Sequence, residues 1–135
     1  MRNLSATVCL TIAVLIGGPA LAETVLYCQT ELATGFIKKN GSWKEASFKR
    51  TRYTLKFNNN YSRLEGFFPH SAMECTVAYS HKPNLIFCVN SWGAHETFIY
   101  HKVKKRFTYS NVSSGGYAID GNDTEVIQAG TCKRF

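Results

Sequence analysis

The sequence predicts an all-β domain, an antiparallel meander of about 8–10 short strands, barrel-like or folded as a sandwich, stapled by two disulfides. Three observations predict it. Turn signals recur every ~8–12 residues. No stretch of about ten residues carries a 3.6-residue apolar period. The cysteines also fall where antiparallel pairing would bring them together. The clearest case is Cys75-Thr-Val-Ala-Tyr-Ser-His-Lys-Pro-Asn-Leu-Ile-Phe-Cys88, two apolar runs around the turn signal Lys82-Pro83-Asn84. If the chain folds back over Ser80 to Pro83, Cys75 faces Cys88, Val77 faces Ile86 and Ala78 faces Leu85. Facing antiparallel residues hold their Cβ atoms about 4.5–5.5 Å apart, within reach of a disulfide.

Residues 1–22 read as a cleaved secretory signal peptide. Arg2 supplies the positive start, Val8 to Ile16 the short apolar core, Pro19 the breaker and Ala20-Leu21-Ala22 the small-x-small cleavage site. The apolar run is roughly half of the ~20 residues needed to span a bilayer. Residues 23–135 then form a single all-β domain. Of the 5 cysteines, Cys9 leaves with the leader, and an even set remains: Cys28, Cys75, Cys88 and Cys132. In a small exported domain this set reads as two disulfides. Three connectivities are open. The hairpin favours Cys75–Cys88, hence Cys28–Cys132, which ties the first strand to the last. No cysteine is then left for catalysis, and none of the spacings suits a zinc ligand pair.

In chain order, Thr24 to Gln29 reads as a first strand. Thr34 to Ile37 and Trp43 to Phe48 flank Asn40-Gly41, a dipeptide suited to a tight type I′ hairpin turn. Lys49 to Phe57 alternates, with Tyr53, Leu55 and Phe57 on one face and Arg52, Thr54 and Lys56 on the other. Asn58 to Asn60 turns the chain into Tyr61 to Phe68. After the stapled hairpin, whose Leu85 to Val89 run is apolar on both faces and predicts cover on both sides, Ser91 to Ala94 forms a loop carrying Trp92. Glu96 to His101 and Arg106 to Tyr109 pair as a further hairpin, setting Phe98 against Tyr109, Tyr100 against Phe107 and His101 against Arg106. A short strand at Tyr117 to Ile119, a turn at Asp120 to Asp123 and a last strand from Thr124 to about Lys133 complete the chain. Linking Cys28 to Cys132 would close the meander and remove its open edges.

The formal charge is +7, or about +6 without Arg2, and a basic exported protein meets anionic surfaces. The cations cluster at turns: Lys38 and Lys39, His81 and Lys82, and Lys102, Lys104, Lys105 and Arg106. Every second turn of a strict meander lies at the same end, and counting turns puts these three groups at one end with Asn58 to Asn60. The acidic turn at Asp120 to Asp123 also falls there. This basic end is the candidate site, for an anionic envelope glycan or lipid, or a protein target.

Other chemistry is thin. His70, His81, His95, His101 and Glu96 match no metal-ligand spacing, and Asp120 to Thr124 offers one calcium-like turn where stacked repeats need several. No catalytic motif, metal site or cofactor is read from the chain. Back from Phe135, the residues Lys133, Thr131 and Ala129 break the alternation of an outer-membrane strand, so no transmembrane segment is expected after leader removal.

Tyr27-Cys28, Ala33-Thr-Gly-Phe36, Trp43, Tyr61-Ser-Arg-Leu-Glu65, Cys75, Cys88, Glu96-Thr-Phe98, Arg106-Phe-Thr-Tyr109 and Gly130-Thr-Cys-Lys-Arg-Phe135 together resemble a family of small exported proteins of Gram-negative bacteria, chiefly alphaproteobacteria. That resemblance brings no activity with it. Gly41-Ser-Trp43 is similar to the Gly-x-Trp of lipocalins, barrels that carry small apolar ligands, although here the Trp follows an earlier strand. The sequence therefore leads to a monomeric, non-enzymatic binding or envelope-associated domain, periplasmic or secreted. The alternatives are an inhibitor of a lysozyme or protease, presenting a loop such as Ser91-Trp92-Gly93, and a lipocalin-like carrier.

Overall fold

The structure, a computed structural model, describes residues 22–67, 71–90, 96–112 and 116–135. Residues 1–21, read from the sequence as part of a leader, and the stretch carrying Trp92 lie outside the described residues, as do His70 and His95. Nine strands form one antiparallel sheet: β1 (Thr24–Lys39), β2 (Ser42–Ser47), β3 (Arg52–Phe57), β4 (Arg63–Glu65), β5 (Met73–Val77), β6 (Leu85–Asn90), β7 (Glu96–His101), β8 (Arg106–Asn111) and β9 (Glu125–Arg134). Eight of them close a barrel in the order β1, β3, β4, β5, β6, β7, β8, β9, with β9 returning to β1, and β2 is an additional strand. A barrel is therefore formed, not a sandwich.

Both disulfides pair as expected, Cys75 with Cys88 and Cys28 with Cys132. In the first hairpin Cys75 faces Cys88 and Val77 faces Ile86, and the Ala78 N–H donates to the Leu85 carbonyl at 2.9 Å. The register of β7 on β8 also matches: Phe98 faces Tyr109, Tyr100 faces Phe107 and His101 faces Arg106. Cys28 faces Cys132 in the β1–β9 seam, which runs from Leu26 and Arg134 to Phe36 and Glu125. Disulfides of this kind belong to an oxidising, extracytoplasmic environment.

The first strand departs from the sequence reading. Residues 24–29 and 34–37 belong to one continuous strand of 16 residues. A β-bulge between Thr30 and Leu32 joins its halves. Ahead of the bulge Leu26, Cys28 and Thr30 face inwards, and beyond it Gly35 is the buried position. The extra residue flips the alternation from even to odd positions, which hides the strand's continuity from a period-two pattern. At its far end Asn40 (φ 53°) and Gly41 (φ 75°) make the type I′ turn that Asn-Gly favours. β2 and β3 then lie end to end along one edge of β1. The Phe48 N–H donates to the Ala33 carbonyl (3.0 Å) and the Thr30 N–H to the Thr51 carbonyl (2.9 Å), carrying the pairing across the gap.

Two further readings are corrected. Tyr117–Ile119 forms a 3-10 turn and not a strand. The outer face of β6 has no second layer among the described residues: Leu85 and Phe87 are half-buried and Val89 is exposed.

The interior holds Leu26, Leu55, Phe57, Leu64, Met73, Ile86, Phe98, Tyr100, Phe107 and Tyr109 around the two disulfides. Phe57 stacks on Tyr100 with ring centres 5.7 Å apart, and Phe67 on Tyr109 at 4.9 Å. These rings fill the interior. Such offset and edge contacts add to the burial of the aromatic area itself.

Candidate functional site

The connections fall at two ends. One end, here the lower, gathers the turns at residues 58–62, 78–84 and 102–105 with the start of β1 and the end of β9. The upper end carries the Asn40-Gly41 turn and the connections after β4, β6 and β8. The lower turns touch one another. The Lys102 N–H donates to the Asn84 carbonyl at 2.8 Å, and Lys102 Nζ lies 5.2 Å over the Tyr61 ring. Arg134 Nη2 donates to Thr24 Oγ1 (2.9 Å) and to the Tyr61 hydroxyl (3.2 Å), which ties the chain terminus to the same surface.

His81, Lys82, Lys102, Lys104, Lys105 and Arg106 are therefore brought together at this end. Lys38 and Lys39 are not. They stand at the upper end, because β2 and β3 run in the same direction along one edge of β1, whereas counting a reversal between them puts the Asn40-Gly41 turn at the same end as residues 58–62. Lys38 is moreover occupied there: its Nζ lies 2.9 Å from Asp120 Oδ1 and donates to the Asp120 carbonyl at 2.8 Å. With Trp43 Nε1 also donating to Asp120 Oδ1 at 3.1 Å, the Asp120 carboxyl is held below its ordinary range, first by Lys38 and then by Trp43. Asp120 and Lys38 have left the basic end together.

Lys133 and Arg134 join the lower end, although sequence reasoning overlooked them. They sit on the last strand, and the signal that could have placed them was the Cys28–Cys132 pairing, which sets Lys133 opposite Tyr27 and Arg134 opposite Leu26. Among the described residues the ion pairs engage only Lys38, Lys56 and Arg63. Glu23 and Glu65 are taken up by Lys56 and by Arg63. Lys82, Lys102, Lys104, Lys105, Arg106, Lys133 and Arg134 thus face solvent without a carboxylate partner among those residues.

His101 has a structural part in this surface. Its Nδ1 accepts from the N–H groups of Val103 (3.3 Å) and Lys104 (3.2 Å) and so shapes the turn. Exposed apolar side chains stand between the cations. Val103 is 67% exposed at the tip of that turn, Tyr79 is 55% exposed beside Lys82, and Phe135 is 95% exposed against the Tyr27 ring.

Glu96 is embedded in the upper interior. It is 5% exposed, accepting from the Tyr109 hydroxyl (3.0 Å) and from Asn90 Nδ2 (3.0 Å). Gln128 Oε1 accepts from the Tyr53 hydroxyl (2.6 Å) and Thr30 Oγ1 (3.2 Å) close by. This is how buried polar groups are normally satisfied. No group of His, Cys, Asp and Glu able to hold a metal occurs among the described residues. The barrel form agrees with that of a small-ligand carrier, but aromatic rings occupy its interior.

Near the lower end of the interior, the Tyr100 hydroxyl is buried without a partner among the described residues. Burial, and then the neighbouring Tyr61, push its pKa from 10.0 up to about 12. A tyrosine with a raised folded-state pKa favours the folded state fully below pH 10 and loses that contribution as the pH climbs towards about 12. Tyr109, raised by burial and by Glu96, acts in the same direction. Urea midpoints measured across this window are expected to hold steady up to pH 10 and then fall. Tyr100→Phe removes an unsatisfied polar group, so it should leave the neutral-pH midpoint unchanged or raise stability by ~1 kcal/mol, and it should flatten the alkaline fall. A Tyr100→Phe protein that is clearly less stable at neutral pH would contradict this account.

The fold and surface define a class: a closed, disulfide-stapled antiparallel barrel with a packed interior and a cationic end studded with apolar tips. No family model, curated protein or solved structure matches the chain.

Proposed function

We propose that the chain is an exported binding domain, periplasmic or secreted, whose lower end docks on an anionic lipid surface of the envelope. The single observation that carries this reading is the interleaving there of unpaired cations with exposed apolar side chains: Val103 stands between Lys102 and Lys104, Tyr79 beside Lys82, and Phe135 after Lys133 and Arg134. A lipid headgroup layer answers to both parts. Each lysine or arginine near an anionic leaflet contributes about 1 kcal/mol, and a short apolar tip enters the headgroup boundary. A sugar polyanion or nucleic acid would use the cations and leave Val103 and Phe135 idle. No helix among the described residues is long and apolar enough to cross a membrane, and surface docking calls for none. The reading keeps the chain among small exported envelope proteins of the alphaproteobacterial kind, acting as a non-enzymatic monomer with no cofactor.

Sedimentation with phosphatidylethanolamine vesicles containing a rising fraction of phosphatidylglycerol tests it. Binding should grow with that fraction and weaken with salt, since surface charges are screened within ~10 Å at 0.1 M. Lys104→Glu with Lys105→Glu should weaken vesicle binding by at least about ten-fold. Lys38→Glu with Lys39→Glu, the same charge change at the other end, should leave it nearly unaltered, which separates a patch from net charge. Val103→Asp should weaken vesicle binding more than retention on a heparin column. Equal loss in both assays would favour a glycan, and an unaltered Lys104/Lys105 variant would overturn the reading.

A further inference from the structure

At the upper end the hairpin of β1 and β2 extends past the barrel rim, and its face carries a second, unlike surface. The register sets Phe36 between Glu45 of β2 and Glu125 of β9, so these three side chains share one face. Lys38 and Trp43 are paired one step further along the same face, while Lys44, paired with Ile37, alternates to the other. The Tyr117 ring closes the group. Its centre is 5.6 Å from that of Trp43 and the two planes meet at 69°. Phe36, Trp43, Tyr117, Glu45 and Glu125 line a cleft of about 380 Å³ that Lys44 borders.

The walls of this cleft are braced from behind. Trp43 Nε1 donates to Asp120, which Lys38 holds from the other side. The Tyr117 N–H donates to Glu125 Oε1 at 2.8 Å. Gly116 makes that last contact possible, because a Cβ there would sit 2.2 Å from the same oxygen. A ring set fixed by neighbouring hydrogen bonds keeps its shape before a ligand arrives, which lowers the ordering cost of binding. Yet Tyr117 (63%) and Phe36 (44%) remain exposed, so the surface is not packed against the rest of the chain.

We infer that this cleft binds a methylated ammonium group, such as that of choline or another quaternary amine. Aromatic faces attract cations through the ring quadrupole. Two rings meeting near a right angle form a corner that contacts a rounded, methylated cation on two sides, whereas a flat sugar ring stacks on one open face. The carboxylates of Glu45 and Glu125 flank Phe36 and supply the opposing charge. Lys38, the ammonium on this face, already has its charge spent on Asp120. A bare ammonium is more strongly hydrated than its methylated form and gives up more on entering such a corner, so methylation favours binding. The adjoining carboxylates also disfavour a phosphate beside the cation, which makes free choline a better occupant than phosphocholine.

The experiment is an NMR titration that follows the Trp43 indole N–H, assigned through Trp43→Phe. Choline, phosphocholine and 3,3-dimethylbutan-1-ol, the uncharged isostere of choline, are the probes. Choline should shift the resonance saturably, phosphocholine less strongly, and the neutral isostere little. Tyr117→Ala and Phe36→Ala, at exposed positions that the fold tolerates, should each weaken choline binding roughly ten-fold, and Glu45→Gln several-fold. Equal binding of the neutral isostere would reduce the cleft to an apolar groove and overturn the inference. Stronger binding of phosphocholine, or no shift at ~10 mM choline, well above a millimolar affinity, would overturn it as well. Lys104→Glu with Lys105→Glu should leave choline binding unchanged, so this result stands apart from that of the lower end.

Discussion

Replacing Cys28 and Cys132 together by alanine is expected to lower the unfolding free energy by about 4.7 kcal/mol. The bond spans 104 residues, and closing so long a loop removes much of the freedom of the unfolded chain. The Cys75–Cys88 bond spans 13, and its removal should cost ~3 kcal/mol. Small domains hold only about 5–15 kcal/mol in all, so the first variant would unfold readily at 37 °C while the second would still fold. Native hydrogen bonds along β1 and β9 flank the long-range bond on both sides, so the seam should stay zipped in the surviving folded molecules. Urea melts of the two double variants, with equal slopes, would check the ranking. A greater loss on removing Cys75 and Cys88 would show that the barrel is held chiefly by its hairpin.

Phe98→Ala should cost about 3–5 kcal/mol. Phe98 is fully buried, and its ring lies 5.2 Å from Phe67, 5.5 Å from Phe107, 6.4 Å from Tyr100 and 6.5 Å from Phe57, centre to centre. Truncation removes one ring from the middle of a filled aromatic cluster. Strands tied by hydrogen bonds on both edges cannot move in to close the gap. Ile99, the next residue, points to the outer wall and is only half-buried, so Ile99→Ala should cost clearly less. Thermal or urea unfolding of both variants gives the comparison, and similar losses would mean that the interior packs more loosely than its geometry implies.

Much of the architecture was legible where residues are paired by short turns. The hairpins at Cys75–Cys88 and Phe98–Tyr109 could be registered to the residue, since a tight turn fixes which positions face each other. Closure followed from cysteine arithmetic. The first strand was not legible. Its bulge at Thr30 to Leu32 carries no glycine, proline or asparagine, and it inverts the alternation on which strand reading depends. Counting a reversal between Phe48 and Lys49, where β2 and β3 in fact continue in one direction, sent Lys38 and Lys39 to the wrong end, whereas Lys82 and Lys102 to Arg106, which follow correctly paired strands, were rightly grouped. Half of the aromatic cleft was within reach: the tight turn at Asn40-Gly41 dictates that Phe36 faces Glu45 and Lys38 faces Trp43. Tyr117 and Glu125 were not, because they arrive through the β1–β9 seam from some 80 residues away.

The β1–β9 seam also sets a timetable. A chain that emerges N-terminus first, from a ribosome or an export channel, presents the 16 residues of β1 before β2 to β8 and their partner β9 only after them. Local hairpins such as β5–β6 and β7–β8 can form early, in microseconds. That edge of β1 stays unmated until β2 to β8 have passed, and an unmated edge invites pairing with other chains. Folding dominated by so distant a contact is slow. The waiting strand, not the barrel's finished surface, is where a holding chaperone would do most good.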